Sequence, residues 1–562
     1  MPYDLLIKGG RIVDGSGLPA YRGDVAVQDG RIVAMGRVDG AAARVIDADG
    51  LAVAPGFIDP HTHLDAQLLW DPLGTSSCWH GVTSVVIGNC GLTLAPCKPA
   101  DRDAIIGSFA RVEGMARPAL EAGFDWRWES PAEYARVLEQ RIGLNVGFLV
   151  GHCAVRQAVM GEDAVERAAT PDEIARMQDL VREALDAGAL GFSTNQNNRH
   201  FRDDGKPVAP RLATPEEIAA LAGVLTERNA GLFQTTQGGV NKPEDVRRTA
   251  DLALQLGRPI LWQSILHRWS HPDAWRALLD AAAEAAARGA RSYAMTNARP
   301  FNNRYTLRNA QEFDEFPTWR ALMFAPVEAR FAAFRDPEVR AKLRWEAVDD
   351  PTPRNFHKRW DLVRIVKVAR PEHQAYEGLS VAALAERQGK NVMDAFLDLA
   401  LAEDLDTLFQ HPLTNGDDEA VGEILRSPYT VAGQSDAGAH VNIDAGFGYC
   451  TLLLGHYVRE RGALTLEEAV RKLTFMVASI FEIPGRGLLR PGYAADLVVF
   501  DPATVGPCEP EMVNDLPAGE PRLVQRATGI AYTVVNGTVL LERGEHTGAY
   551  PGRVLRRAGW QE

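Results

Sequence analysis

At 562 residues, with 46% hydrophobic and 24% charged side chains, the chain has a globular composition and is long enough for a large core plus a satellite domain. Its formal net charge of −14 argues against nucleic acid or an anionic membrane as the main partner, though not against small anionic substrates, which need only a local positive site. Six cysteines without a CxxC pair exclude a disulfide framework and a CxxC zinc site.

The opening residues, MPYDLLIKGGRIVDG, enter directly into a strand pattern, so no signal peptide is expected. No run reaches the length of a membrane span, and a reducing cytoplasm is the expected compartment. Up to about residue 54, short β-type runs alternate with Gly and Asp turns, in the manner of hairpins. The same style returns at Ala494 to Phe500 and at Ile530 to Leu541, where Asn536-Gly537 reads as a hairpin turn. Residues 1–55 and 486–562 therefore read as two parts of one small discontinuous β-sandwich.

Between them, residues 56–485 alternate strands with helical segments, the pattern of a TIM-type (β/α)8 barrel in an α/β fold. Strand candidates are Leu51 to Ile58, Val82 to Ile87, Val146 to Val150, Leu190 to Ser193, Gly231 to Gln234, Ile260 to Ser264, Arg291 to Met295 and Tyr429 to Ala432. Helices are expected over Pro171 to Ala187, with Thr170 as N-cap, over Thr214 to Asn229 and over the Ala-rich Asp273 to Arg288. An irregular insertion at about 300–381, rich in Arg, Trp, Phe and Pro, reads equally as a lid or binding loop and as an inert surface insertion.

The barrel pattern directs attention to the residues just after each strand, where such barrels carry their sites. The first run ends in Asp59-Pro60 and presents His61 and His63, one apart and so on one side of an extended chain. The second ends in Gly88-Asn89-Cys90-Gly91. Two neutral imidazoles and a thiolate can share one divalent ion. Taken singly, a His-x-His is common and a buried cysteine is usually a small apolar residue. Together, at two successive strand ends, they point to a metal centre.

This stretch closely resembles the first two barrel strands of the amidohydrolase superfamily, and GVTSVVIGNCG resembles the N-acyl-D-amino-acid deacylase (D-aminoacylase) branch. In that branch a cysteine after the second strand replaces the carboxylated lysine used elsewhere. The likeness continues through PGYAADLVVFDPATV and VVNGTVLLERGEHTGAYPGRVLR near the C-terminus, and it supports the discontinuous sandwich.

Further strand ends are read against that resemblance. Gly151-His152-Cys153-Ala154-Val155-Arg156 is similar to a GHxxxR segment, with a structural role for His152 ranked ahead of a substrate contact. The fourth run, Gly191-Phe192-Ser193-Thr194, resembles GLST, but Asn197 and Asn198 stand where a tyrosine is usual, which implies a more polar pocket. The fifth run has Gln234-Thr235-Thr236-Gln237-Gly238 where the family offers a ligand histidine in a THxR-like segment, and neutral glutamine is a poor zinc ligand. In the sixth, the family's Ser-His pair and lysine become Ser264-Ile265-Leu266-His267-Arg268, so His267 reads either as a displaced ligand or as an outer residue. The last run leads into Gln434-Ser435-Asp436-Ala437-Gly438-Ala439-His440, similar to the SDG segment with the catalytic aspartate. Ser-Asp before glycine is otherwise a common turn.

The expected enzyme is a metal-dependent hydrolase of C–N amide bonds, D-aminoacylase-like, using metal-bound hydroxide. Its centre holds Zn2+, as one or two ions or another divalent metal, through some of His61, His63, Cys90, His267 and Asp436. Asp436 is its general base. Arg268, at the position of the family's lysine, with Arg156, Arg299 and Arg304, are candidates for a substrate carboxylate, each with a surface salt bridge as the plainer role. The expected partner is a small carboxylate-bearing amide substrate, and a homo-oligomer is left open. Two other readings stand beside this one: an amidohydrolase acting on another amide or a cyclic amide, and a metal-poor barrel serving as a binding or scaffold module.

Overall fold

The computed structural model describes residues 2–237, 241–352, 354, 356–443 and 446–560, so Gly238 of the fifth-strand motif lies outside the described residues. Eight parallel strands form the central sheet, in the order in which they occur along the chain. Barrel strands one to four are Phe57–Asp59, Val82–Ile87, Asn145–Gly151 and Gly191–Asn195, and strands five to eight are Leu232–Thr236, Ile260–Gln263, Ser292–Thr296 and Thr430–Ala432. The ends of strands eight and one meet through a parallel bridge between Thr62 and Ala437, with the His63 N–H donating to the Ala437 carbonyl at 2.7 Å. That closure draws the chain after strand one against the chain after strand eight. Gly438 makes the approach feasible: its φ is +92°, and a Cβ there would stand 2.4 Å from the His63 carbonyl oxygen.

The barrel interior is apolar. Ile58, Val86, Leu149, Leu190, Leu232, Leu261, Met295 and Val431, one from each strand or its immediate approach, form a single buried cluster with Met476, Val477 and Ile480 of helix Phe475–Ile480. This fills the barrel as a packed core rather than a pore. Outside, the helices follow the sequence signals. Thr170 caps helix Pro171–Asp186 through a capping box with Glu173, and helices Pro215–Glu227 and Ala274–Ala287 fall where the apolar periodicity places them.

Strands from both chain ends join in one nine-stranded sheet, in which Leu497–Phe500 pairs with Ala52–Pro55 and Ile530–Val535 pairs with Leu497–Phe500. Strand Tyr3–Ile12 pairs along its first part with Ala42–Asp47 and at its end with Ala52–Pro55. The switch falls at Gly9-Gly10, where a Cβ on Gly10 would lie 2.5 Å from a Val53 methyl. Leu5, Ile7, Val25, Val27, Leu497, Val499 and Val534 belong to the buried core of this domain.

The segment after strand seven is more ordered than its sequence suggests. Strands Phe301–Tyr305, Arg364–Lys367 and Leu408–Thr414 form a three-stranded antiparallel sheet, and a separate aromatic core extends to Phe409, beyond the expected limit near 381. Phe313 stacks on Trp319 at 4.2 Å between ring centres, with Phe356, Trp360 and Phe396 around them. The Trp and Phe content of this stretch is the packing material of this second core. Among the described residues, no helix is long and apolar enough to cross a membrane.

Candidate metal centre

Strand one ends at Asp59, and the following turn delivers His61 and His63 into the barrel mouth, both buried. Cys90 arrives from strand two in the left-handed conformation (φ +54°), as does Asp436 from strand eight (φ +51°). Non-glycine residues held there are uncommon and concentrate at functional sites. His61, His63 and Cys90 each offer a ligand atom, and all of these atoms lie within 4.8 Å of one another. His61 Nε2 is 3.4 Å from Cys90 Sγ and 3.2 Å from Asp436 Oδ1, and His63 Nε2 is 4.0 Å from the same oxygen. Neighbouring donors on a tetrahedral zinc stand about 3.3 to 3.7 Å apart, given usual bond lengths of about 2.0 to 2.3 Å, so the His61–Cys90 and His61–Asp436 spacings suit one ion, with His63 set slightly wider.

The protonation chemistry fits as well. Burial pulls the His61 imidazole down to about 3, and burial with His61, His440 and His200 nearby holds His63 well below its ordinary value. Both rings are thus kept in the neutral form that binds metal. Burial drives the Cys90 thiol well above its ordinary value, and Glu113 and Asp436 push it further, whereas hydrogen bonds with Thr236 and Gln263 oppose this. A bound cation reverses that balance, because a coordinating thiol is deprotonated.

Strands five and six contribute neutral side chains. The Thr236 hydroxyl donates to Cys90 Sγ at 3.3 Å, and the Cys90 N–H donates to Gln234 Oε1 at 3.0 Å. At the end of strand six stands Gln263, whose Nε2 is 3.1 Å from His61 Nε2. His267 does not join the cluster. Its ring packs edge-on against Trp269 at 5.1 Å, and its backbone N–H donates to Asn415 Oδ1 at 3.1 Å. The three residues between Gln263 and His267 carry the chain away from the ion position, so of the two readings of His267 the structure favours the outer one.

A cavity of about 1340 Å³, counted with its open mouth, adjoins the centre and is bordered by His63, Cys90, Gln263 and Asp436. Arg268 and Arg299 line it, and so do Arg199 and Asn197, the latter in the region expected to be polar. Burial and the neighbouring Arg199 lower Arg268 to about 10, which leaves it charged near neutral pH. The other two arginine candidates lie elsewhere. Arg156 is fully buried and donates to Glu217 Oε1 at 2.6 Å, in a cluster where His152 Nε2 stands 2.9 Å from the same oxygen. It ties helix His152–Met160 to helix Pro215–Glu227 and does not reach the cavity. Arg304 donates to Gln410 Oε1 at 3.0 Å across the sheet of the insertion. Neither is placed to hold a substrate.

Several cavity residues escape sequence reading. Gln263 carries one signal, its place at a strand end, and His440 another, its place four residues after Asp436. Glu113 has none, since it caps the C-terminus of helix Arg102–Val112 rather than ending a strand, yet its Oε2 comes within 3.5 Å of His63 Nε2.

A family model described as the amidohydrolase family matches residues 44–541. Along 99% of this chain and 98% of its own length, a D-aminoacylase from Alcaligenes xylosoxydans xylosoxydans is 31% identical. An N-acyl-D-aspartate deacylase from the same organism is 32% identical over 98% of this chain and 95% of its own. Among solved structures, the N-acyl-D-glutamate deacylase of Bordetella bronchiseptica, complexed with zinc and a phosphonate mimic of the tetrahedral intermediate, superposes with a TM-score of 0.68 at 28% identity, covering 99% of this chain and all of that one. With a metal-binding set at the mouth of a closed parallel barrel and full-length likeness to these enzymes, the chain belongs to the amidohydrolase family.

Proposed function

We propose that this protein is a metal-dependent amide hydrolase of the D-aminoacylase kind, which removes the acyl group from N-acyl-D-amino acids. The observation that carries the reading is the convergence of His61, His63 and Cys90 with Asp436 beside a cavity lined by Arg268 and Arg299. The donor set suits zinc, which when bound supplies Lewis acidity toward water and the substrate carbonyl. Asp436 accepts the proton of the attacking water and returns it to the departing amine nitrogen. Arg268 and Arg299 hold the substrate carboxylate, for which the guanidinium fork is well shaped, and so orient the amide toward Asp436. A binding scaffold would have no need of two buried neutral imidazoles, a thiol and a carboxylate aimed at one point, and this disfavours the metal-poor reading.

The test is hydrolysis of a panel of N-acetyl-D- and N-acetyl-L-amino acids, with uncharged acyl amides and cyclic amides alongside. Turnover confined to carboxylate-bearing D-substrates is expected. Arg268→Met and Arg299→Met should each raise KM by about tenfold or more, since losing a charge-assisted hydrogen bond costs about 1.5–3 kcal/mol. Preference for cyclic or carboxylate-free amides would refute the substrate assignment while leaving amide hydrolysis in place.

A further inference from the structure

Three donors from strands one and two could hold a catalytic ion on their own, and the ends of strands five and six bring a threonine and a glutamine to it rather than a further anionic donor. We propose that Glu113 is a direct metal ligand in this chain, the anionic donor that strands five and six do not provide. The assignment rests on the metal centre described above and extends its ligand set.

Glu113 is 3% exposed, and it borders the same cavity as Cys90 and Asp436. Its Oε2 lies 3.5 Å from His63 Nε2, the ring nitrogen that also faces Asp436. A carboxylate that merely supported a metal-binding histidine from behind would approach the other ring nitrogen, Nδ1. The position is fixed by backbone. The Glu113 N–H donates to the Phe109 carbonyl at 3.1 Å, and the Glu113 carbonyl accepts the His440 N–H at 2.6 Å, which joins the helix end to the loop carrying Asp436.

The test is zinc affinity by chelator competition, together with the absorption spectrum of the cobalt(II)-loaded protein, for wild type, Glu113→Gln and Glu113→Asp. Glu113→Gln is expected to weaken zinc binding by at least about tenfold. It should also change the cobalt d–d bands while the thiolate-to-cobalt charge-transfer band of Cys90 persists. If Glu113→Gln does not fold, Glu113→Asp, which keeps the charge but withdraws the oxygen by one methylene, is expected to show the same spectral change. Unaltered affinity and cobalt spectrum in a variant of a metal-binding wild type overturns this assignment alone. A wild type that binds no ion overturns the metal centre itself, and this assignment with it.

Discussion

Asp436 is the residue to which the proposed mechanism gives the proton transfer. Its Oδ1 is 3.2 Å from His61 Nε2 and it lines the adjoining cavity, so its carboxylate faces both the donor cluster and the open space beside it. Asp436→Asn keeps the size and removes the base. We expect kcat to fall by about 10²- to 10⁴-fold, the usual contribution of a positioned general base, with the fold intact by circular dichroism. Unchanged turnover in that variant would assign proton transfer elsewhere. The residues legible in the sequence share one property. His61, His63, Cys90 and Asp436 each follow an apolar run within a few positions, so recognising the strand locates the side chain. Glu113 follows a helix, and only the tertiary contact of its carboxylate with His63 shows where it points.

At the scale of elements, the pairing of helix His152–Met160 with helix Pro215–Glu227 turns on a buried ion cluster. Arg156 closes a strand-end segment similar to GHxxxR, which is why sequence alone presents it as a site residue; Glu217, its partner, lies 61 positions away. Burial raises the Glu217 carboxyl, but hydrogen bonds and charge from His152 and Arg156 outweigh it and hold the group below its ordinary value. Removing one member of such a cluster leaves a buried charge uncompensated, so Arg156→Ala is expected to destabilise the fold by about 3–5 kcal/mol at neutral pH. The sign with pH follows from the depressed value. The contribution of Glu217 is complete above the unfolded glutamate value, about 4.3, and is lost as pH falls through the lower folded value. Urea unfolding of wild type and variant should therefore show a gap that narrows in acid. An Arg156→Ala protein as stable as wild type, with KM raised instead, would restore Arg156 to the substrate site. Strand six shows the limit of reading elements from sequence: the run is visible, but whether Gln263 or His267 faces the ion depends on the path of the three residues between them.

For the molecule as a whole, the closure of strand eight on strand one is what assembles the centre, because it sets Asp436, after the last barrel strand, beside His61, after the first. The alternation of strands and helices announces this barrel, and the hairpins at both ends announce the satellite sheet. The insertion is opaque for a physical reason. Its core is aromatic and its strands are short and separated in sequence, Phe301–Tyr305 pairing with Leu408–Thr414, so no local period betrays them. It supplies Phe301, Asn303 and Glu312 to the wall of the cavity beside the donor cluster.

The central claim is that hydrolysis depends on an ion held by His61, His63 and Cys90. The most direct measurement is elemental analysis of the purified protein and of Cys90→Ala, paired with N-acetyl-D-amino acid hydrolysis before chelation, after chelation and after zinc is returned. The account predicts near-stoichiometric metal in the wild type, a marked loss in Cys90→Ala, and activity that disappears on chelation and comes back with zinc. Full hydrolysis by protein free of any transition metal would contradict it.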